Sequence, residues 1–203
     1  MSGQSRLIGV LLAGGRSSRM GGGDKGLLPL GGRPLLAHVA DRAQAQVDRL
    51  VLNANGDPAR FAALGLEVAP DTVPDFAGPL AGVLAALEWA RDRAPDARFV
   101  VSFPADSPFL PRDLASRLLG LGAPLARARS GGRAHPAAGL WSVALADDLR
   151  RALVEDGVRK IEAWTARHAC AEAEWPLEPA DPFFNVNTPA DLAEAERLLP
   201  LAL

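Results

Sequence analysis

Short, uninterrupted apolar runs alternate along the chain with longer stretches in which apolar residues recur every three or four positions. The first pattern suits strands buried on both faces, the second amphipathic helices. Leu7 to Leu12 reads as a fully buried first strand. Leu36, Val39, Ala40, Ala43 and Val47 then follow helical spacing, with Pro34 suited to the first turn. Leu50 to Leu52 and Leu66 to Val68 are the second and third strands, and Pro79 opens a helix whose inner face is Leu80, Val83, Leu84 and Leu87. Phe99 to Phe103 is the fourth strand, stopped by Pro104, because proline cannot donate to a sheet ladder. A helix near Pro111 to Leu119 comes next, then strands near Leu125 and Leu140. Helices near Val143 to Val154 and Arg159 to Ala166, a strand over Cys170 to Trp175 and a helix from Pro189 to Leu199 complete the pattern.

Strands that alternate with helices predict an α/β fold of three layers, α/β/α and Rossmann-like, around a mostly parallel mixed sheet. The length of 203 residues, without an internal repeat, linker or low-complexity tract, predicts a single domain over 1–203. Charge narrows the partners. Twenty-two basic and 24 acidic residues leave a formal net charge of −2, with no basic run of the kind nucleic-acid binders display. The only cysteine, Cys170, excludes an intramolecular disulfide. Leu7 to Ala13 is too short to span a bilayer and no signal-peptide core precedes it. The expectation is a cytoplasmic protein with neither nucleic acid nor membrane as partner.

Candidate chemistry gathers after the first strand, in Ala13-Gly14-Gly15-Arg16-Ser17-Ser18-Arg19-Met20-Gly21-Gly22-Gly23-Asp24-Lys25. Glycines let backbone N–H groups approach a phosphate closely, and Arg16, Arg19 and Lys25 add positive charge to the same segment. The combination suits a triphosphate. It is neither a P-loop, since Lys25 lies between Asp24 and Gly26, nor the dinucleotide fingerprint Gly-x-Gly-x-x-Gly. An NAD-dependent oxidoreductase therefore lacks its signature.

Ligands of open α/β sheets collect beyond the carboxyl ends of the strands. Asn53, Asp71 and Asp106 stand at the ends of strands two, three and four. Each segment, Asn53-Ala54-Asn55-Gly56, Asp71-Thr72 and Asp106-Ser107-Pro108, equally has turn-forming chemistry. In Phe184-Asn185-Val186-Asn187-Thr188-Pro189, an extended backbone puts Asn185 and Asn187 on one face and Val186 on the other. Thr188 is a good N-cap, with Pro189 in the first turn and Asp191 at capping-box distance. His38, His135 and His168 show no metal-ligand spacing, and no Ser-His-Asp set declares itself.

Leu11-Leu12-Ala13-Gly14-Gly15-x-Ser17-x-Arg19-Met20-Gly21, followed by Asp24-Lys25-Gly26-Leu27-Leu28, resembles the signature of the molybdenum cofactor guanylyltransferases, members of the nucleotidyltransferase superfamily. The resemblance runs from about Leu7 to Leu192 and is densest before Leu36. It implies a nucleotidyltransferase fold and transfer of GMP from GTP to the phosphate of molybdopterin, with Mg²⁺. Asp24-Lys25-Gly26 is more similar to the guanylyl than to the cytidylyl branch, which tends to carry Asn-Lys. The resemblance also implies site roles: Arg19, Lys25 and Asp106 in catalysis, Asp106 as the metal ligand, and Leu12, Ala13, Gly14, Gly15, Asn53, Asp71 and Gly78 around the nucleotide. Asn185 and Asn187 would lie near the metal or the pterin, and His135-Pro136 resembles a position on the acceptor side. Family members often have Asp-Thr-Pro where this chain has Asp106-Ser107-Pro108. Proteins that donate and receive the cofactor are the implied partners. Two alternatives stay open: a related nucleotidyltransferase using CTP or a sugar-phosphate acceptor, and a non-catalytic protein that binds GTP or the cofactor.

Overall fold

Ile8, Val10 and Leu11 have no exposed surface, because the first strand, β1 (Leu7–Leu12), lies in mid-sheet between two parallel neighbours. The computed structural model describes residues 6–13, 24–74 and 78–201. Gly14, Gly15, Arg16 and Arg19 of the glycine-rich segment lie outside the described residues. After β1 the described chain forms a small hairpin, β2 (Pro29–Leu30) and β3 (Arg33–Pro34), then α1 (Leu35–Gln44) and β4 (Arg49–Asn53). A 3₁₀ stretch, Pro58–Leu64, precedes β5 (Glu67–Val68), α2 (Pro79–Arg93) and β6 (Phe99–Pro104). Next come α3 (Leu114–Gly120), β7 (Leu125–Ser130), β8 (Arg133–Ser142), α4 (Ala146–Val154), α5 (Ile161–Thr165), β9 (Cys170–Trp175) and α6 (Pro189–Leu198).

The main sheet has seven strands in the order β5-β4-β1-β6-β8-β7-β9. Only β8 runs against the others among the described strands. It is the return arm of a hairpin with β7. Gly131 (φ 52°) and Gly132 (φ 78°) make the two-residue turn, a conformation that β-carbon-bearing residues adopt only with strain. The same chemistry at Gly31-Gly32 builds the β2–β3 hairpin, which the apolar pattern alone does not announce.

Alternation along the strands feeds two cores. Leu11, Leu50, Leu52, Val101 and Phe103 point to the side carrying α1 and α3. Ile8, Val10, Val51 and Val100 point to the side carrying α2, α4 and α5. Each fully buried aliphatic or aromatic side chain contributes about 1.5–3 kcal/mol of transfer free energy. The predicted three-layer architecture is what forms. Helix boundaries shift where local chemistry intervenes. Val47 falls beyond α1 and packs against the core from the loop before β4, and Val143–Leu145 is a 3₁₀ turn ahead of α4. From Leu80 to Ala90 every residue of α2 is buried, including Glu88, whose carboxylate accepts two hydrogen bonds from Arg150 of α4, at 2.6 and 2.9 Å. No described helix is long and apolar enough to cross a membrane.

Candidate active site

Register at the carboxyl edge of the sheet fixes the site. Leu12 is paired with Asn53 on one side and Pro104 on the other, so the ends of β4, β1 and β6 form a row. The row continues past the strands: the Ala13 N–H donates to the Asn53 carbonyl (3.0 Å), and the Ala105 N–H donates to the Leu12 carbonyl (3.3 Å). Two polar groups stand on this edge.

The first is built on β4. The Asn53 side chain is almost wholly buried, and its Nδ2 donates to the Ala69 carbonyl (3.0 Å) and to Asp71 Oδ1 (2.9 Å). Asn55 Nδ2 donates to Asp71 Oδ2 (2.7 Å), while the Asp71 N–H donates back to Asn55 Oδ1 (2.9 Å). Each Asp71 oxygen thus holds one amide donor and retains capacity for another. The backbone bends at Gly56 and Thr72 without closing a hydrogen-bonded turn, and the Asn53, Asn55 and Asp71 side chains link the two segments. Gly82, in the second turn of α2, completes this group. A β-carbon there would lie 2.2 Å from Asn53 Oδ1, so only glycine leaves room for the Asn53 side chain. Gly78 is the N-cap of the same helix, one turn ahead of Gly82, with φ 146°.

The second group joins three distant stretches of chain. Lys25 Nζ donates to Asp106 Oδ2 and to Asn187 Oδ1, each at 2.7 Å. Asn185 Nδ2 donates to Asp106 Oδ1 (3.0 Å), and the Val186 N–H donates to the Asp106 carbonyl (2.9 Å). Val186 is fully buried, so the alternation anticipated for this segment holds although no strand forms there. The capping box holds it in place: Thr188 Oγ1 accepts from the Asp191 N–H, and Asp191 Oδ2 accepts from the N–H groups of Asn187 and Thr188. Those donors, Asn187 first, hold the Asp191 carboxyl below its ordinary range.

The Lys25–Asp106 pair is about four-fifths buried on both sides. Each partner neutralises a charge that would otherwise be costly to hold away from water. A bound cation could replace Lys25 at Asp106, and a bound anion could replace Asp106 at Lys25. The oxygen donors Asp106, Asn185 and Asn187 are hard ligands that suit Mg²⁺, which takes one or two carboxylates and completes its shell with phosphate oxygens and water. No cluster of three or more His, Cys, Asp or Glu side chains placed to hold a metal occurs among the described residues. Any metal here would therefore lean on its substrate for ligands.

Against this geometry the comparisons are specific. A family model for the MobA-like NTP transferase domain matches residues 9–171. A molybdenum cofactor guanylyltransferase of Rhodopseudomonas palustris (strain HaA2) is 58% identical over 193 residues, which cover 93% of this chain and 90% of the relative. The chain belongs to the molybdenum cofactor guanylyltransferase family. It is a nucleotidyltransferase. Among solved structures, molybdopterin-guanine dinucleotide biosynthesis protein A from Archaeoglobus fulgidus is similar with a TM-score of 0.73 and 25% identity, covering 96% of this chain and 99% of that one. A Mycobacterium tuberculosis H37Rv protein in complex with manganese shares the fold, with a TM-score of 0.69 and 24% identity over 95% of this chain and 98% of that one.

Ser107 Oγ is buried and has no hydrogen-bond partner among the described residues. Ser130 and Asp181 escaped the sequence pattern, and His135 was singled out there only through the resemblance. Ser130 Oγ donates to Asp181 Oδ1 (2.9 Å) and lies 2.8 Å from His135 Nε2, and the His135 ring stacks on Phe183 at 4.5 Å. This is a Ser-His-Asp set, but the hydroxyl sits in the middle. With its proton committed to Asp181, the hydroxyl can only accept from His135, so the histidine cannot activate it as a nucleophile. The set instead ties the β7–β8 hairpin to the segment leading into Asn185. Its signal was Ser130-Gly131-Gly132-Arg133, a two-glycine turn that folds His135 back beside β7. His38 is structural: its Nε2 hydrogen-bonds the Leu30 carbonyl of the β2–β3 hairpin (2.8 Å).

Proposed function

We propose that this protein transfers GMP from GTP to the terminal phosphate of molybdopterin, giving the guanine dinucleotide form of the cofactor and releasing pyrophosphate. The observation that carries this reading is the Lys25–Asp106 pair, clasped by Asn185 and Asn187, on the same sheet edge as Asn53 and Asp71. One group offers a cation for phosphate and a carboxylate for metal. The other offers a fixed carboxylate that suits the N–H donors of a base.

The acceptor phosphate is already largely ionised at neutral pH and needs little help from a general base. An acceptor oxygen forms a bond to the α-phosphorus of GTP, and the bond from that phosphorus to the pyrophosphate oxygen breaks. Two anions must meet, so the protein's work is alignment and charge neutralisation. Lys25 moves from Asp106 to the triphosphate and stabilises charge on the leaving group, with Arg19 assisting. Leu12 and Ala13 present backbone groups to guanine, with Asn53 and Asp71 beside them, and Gly14, Gly15 and Gly78 leave backbone free to approach the nucleotide. Asp106 would hold a divalent metal, with Asn185 and Asn187 adjoining. Mg²⁺ bound there would polarise the α-phosphate. The manganese found in the M. tuberculosis structure of the same fold supports a divalent ion. The balanced charge and the lack of a membrane-spanning helix among the described residues agree with a cytoplasmic enzyme that meets cofactor-donating and cofactor-receiving proteins transiently.

The test is release of pyrophosphate and formation of the guanine dinucleotide from Mg-GTP and molybdopterin, with CTP and ATP as competitors and a sugar phosphate as the rival acceptor. Asp106→Ala and Lys25→Ala should each lower kcat at least about 100-fold while leaving the fold intact. Near-normal turnover in either variant removes that residue's role. Binding of GTP without turnover by the wild type would instead make the protein a carrier.

A further inference from the structure

Arg60 belongs to neither polar group, yet it bonds to Asn55 of the first and to Asp24, the residue before Lys25 of the second. It stands on the 3₁₀ stretch Pro58–Leu64, whose start is capped by Asp57 accepting from the Ala59 N–H at 2.9 Å. The neighbouring Phe61 is buried, and the Arg60 guanidinium lies over its ring at 4.8 Å. From this base Arg60 reaches in two directions. Its Nε pairs with Asp24 Oδ2 at 2.7 Å, and its Nη2 donates to the Asn55 carbonyl at 2.5 Å. Asp24 immediately precedes Lys25 and caps the turn Lys25–Leu27 through its carbonyl, which accepts from the Leu27 N–H at 2.9 Å. Asn55 is the residue that exchanges two hydrogen bonds with Asp71.

We infer that Arg60 is a positioning residue that locks the lysine of the phosphate side to the carboxylate of the base side. A continuous path runs from Lys25 along the backbone to Asp24 and then through Arg60 and Asn55 to Asp71: the two links at Arg60 are charge-assisted hydrogen bonds, and Asn55 and Asp71 exchange a pair. Arginine suits this junction because its planar fork fixes two acceptors at once, which the point charge of lysine cannot do. Without the link, the Asn55–Asp71 pair and the Asp24–Lys25 segment are no longer tied to each other, and a nucleotide must order the two halves of its site on binding. That ordering weakens binding without touching a reacting atom. The inference rests on the assignment of Lys25 and Asp71 to the nucleotide.

Calorimetric titration with Mg-GTP and Mg-ITP tests it, ITP lacking the 2-amino group of guanine. Arg60→Gln and Asp24→Asn should each raise the Kd for GTP about tenfold, and the double variant should be no weaker than the weaker single, since both break one link. The ratio of ITP to GTP affinity should shrink toward one in Arg60→Gln, because the base side has lost its anchor, and should persist in Lys25→Ala. With a saturating acceptor, Arg60→Gln should raise KM for GTP and leave kcat within about threefold. Wild-type affinity in Arg60→Gln, multiplying effects in the double variant, or an unchanged ITP ratio would each overturn the inference. If Lys25→Ala also binds GTP like the wild type, the site assignment itself falls. If only Lys25→Ala is weakened, the link through Arg60 falls alone. Should Arg60→Gln not fold, Asp24→Asn reads the same link from its other end.

Discussion

His135 is a buried base whose ring stacks on Phe183 and whose Nε2 meets Ser130. Burial is the largest influence on its pKa and lowers it; Arg133 acts in the same direction, against the opposing pull of Asp181 and Glu174. A folded-state pKa below the unfolded one means that the native state favours the neutral ring. Its contribution to stability is complete above the unfolded value, about 6.5, and is lost as pH falls through that value toward the folded one. The melting temperature should therefore drop between about pH 7 and pH 5 in the wild type and drop less in His135→Gln. Parallel pH profiles for the two proteins would show that the histidine does not carry the slope. Residues of this kind mark the limit of a linear reading. Lys25 could be named from its place in the glycine-rich segment and Asp106 from the end of the fourth strand, whereas Asn185 and Asn187, and the metal role of Asp106, came only with the family resemblance. Ser130, His135 and Asp181 meet only because a hairpin turn and a later loop converge, and no spacing between them records that.

Elements were legible to the degree that one force shaped them. The strands β1, β6 and β9 are continuous or alternating runs whose burial the sequence states directly, and they form within a residue of the predicted bounds. The β2–β3 hairpin and the antiparallel course of β8 depend on glycine pairs whose backbone geometry outweighs hydrophobic period. Helix α2 combines both cases. Its apolar face was plain, but Gly82 reads as a weak point, since alanine there would favour the helix by about 1 kcal/mol. Packing reverses that sign. The β-carbon of Gly82→Ala would meet Asn53 Oδ1 at 2.2 Å and Leu12 Cδ2 at 2.9 Å, so the Asn53 amide must leave its bonds to Ala69 and Asp71 or the helix must retreat. Gly82→Ala should raise KM for GTP about tenfold and give no gain in melting temperature, which steady-state assays and a thermal melt can check. A stabilised variant with unchanged KM would show that Asn53 can relocate at no cost.

At the scale of the whole molecule, the site is assembled from sequence positions far apart: Lys25, Asp106 and Asn187 are bonded across separations of 81 and 162 residues. Binding at such a junction ties segments on both sides of the sheet, so it must appear as global stability. A ligand that binds only the folded state adds about 2.7 kcal/mol when present at 100 times its Kd. For a domain of this length each kcal/mol moves the melting temperature by about 2–4 °C, so saturating Mg-GTP should raise it by roughly 5–10 °C. The shift should largely vanish in Lys25→Ala, which removes the cation proposed for the triphosphate. Chelating the metal with EDTA should also reduce it, because the nucleotide would then meet Asp106 as one anion meeting another. Differential scanning fluorimetry across these four conditions separates the contributions. A shift of equal size in Lys25→Ala and in EDTA would mean that GTP stabilises the protein somewhere other than the Lys25–Asp106 edge.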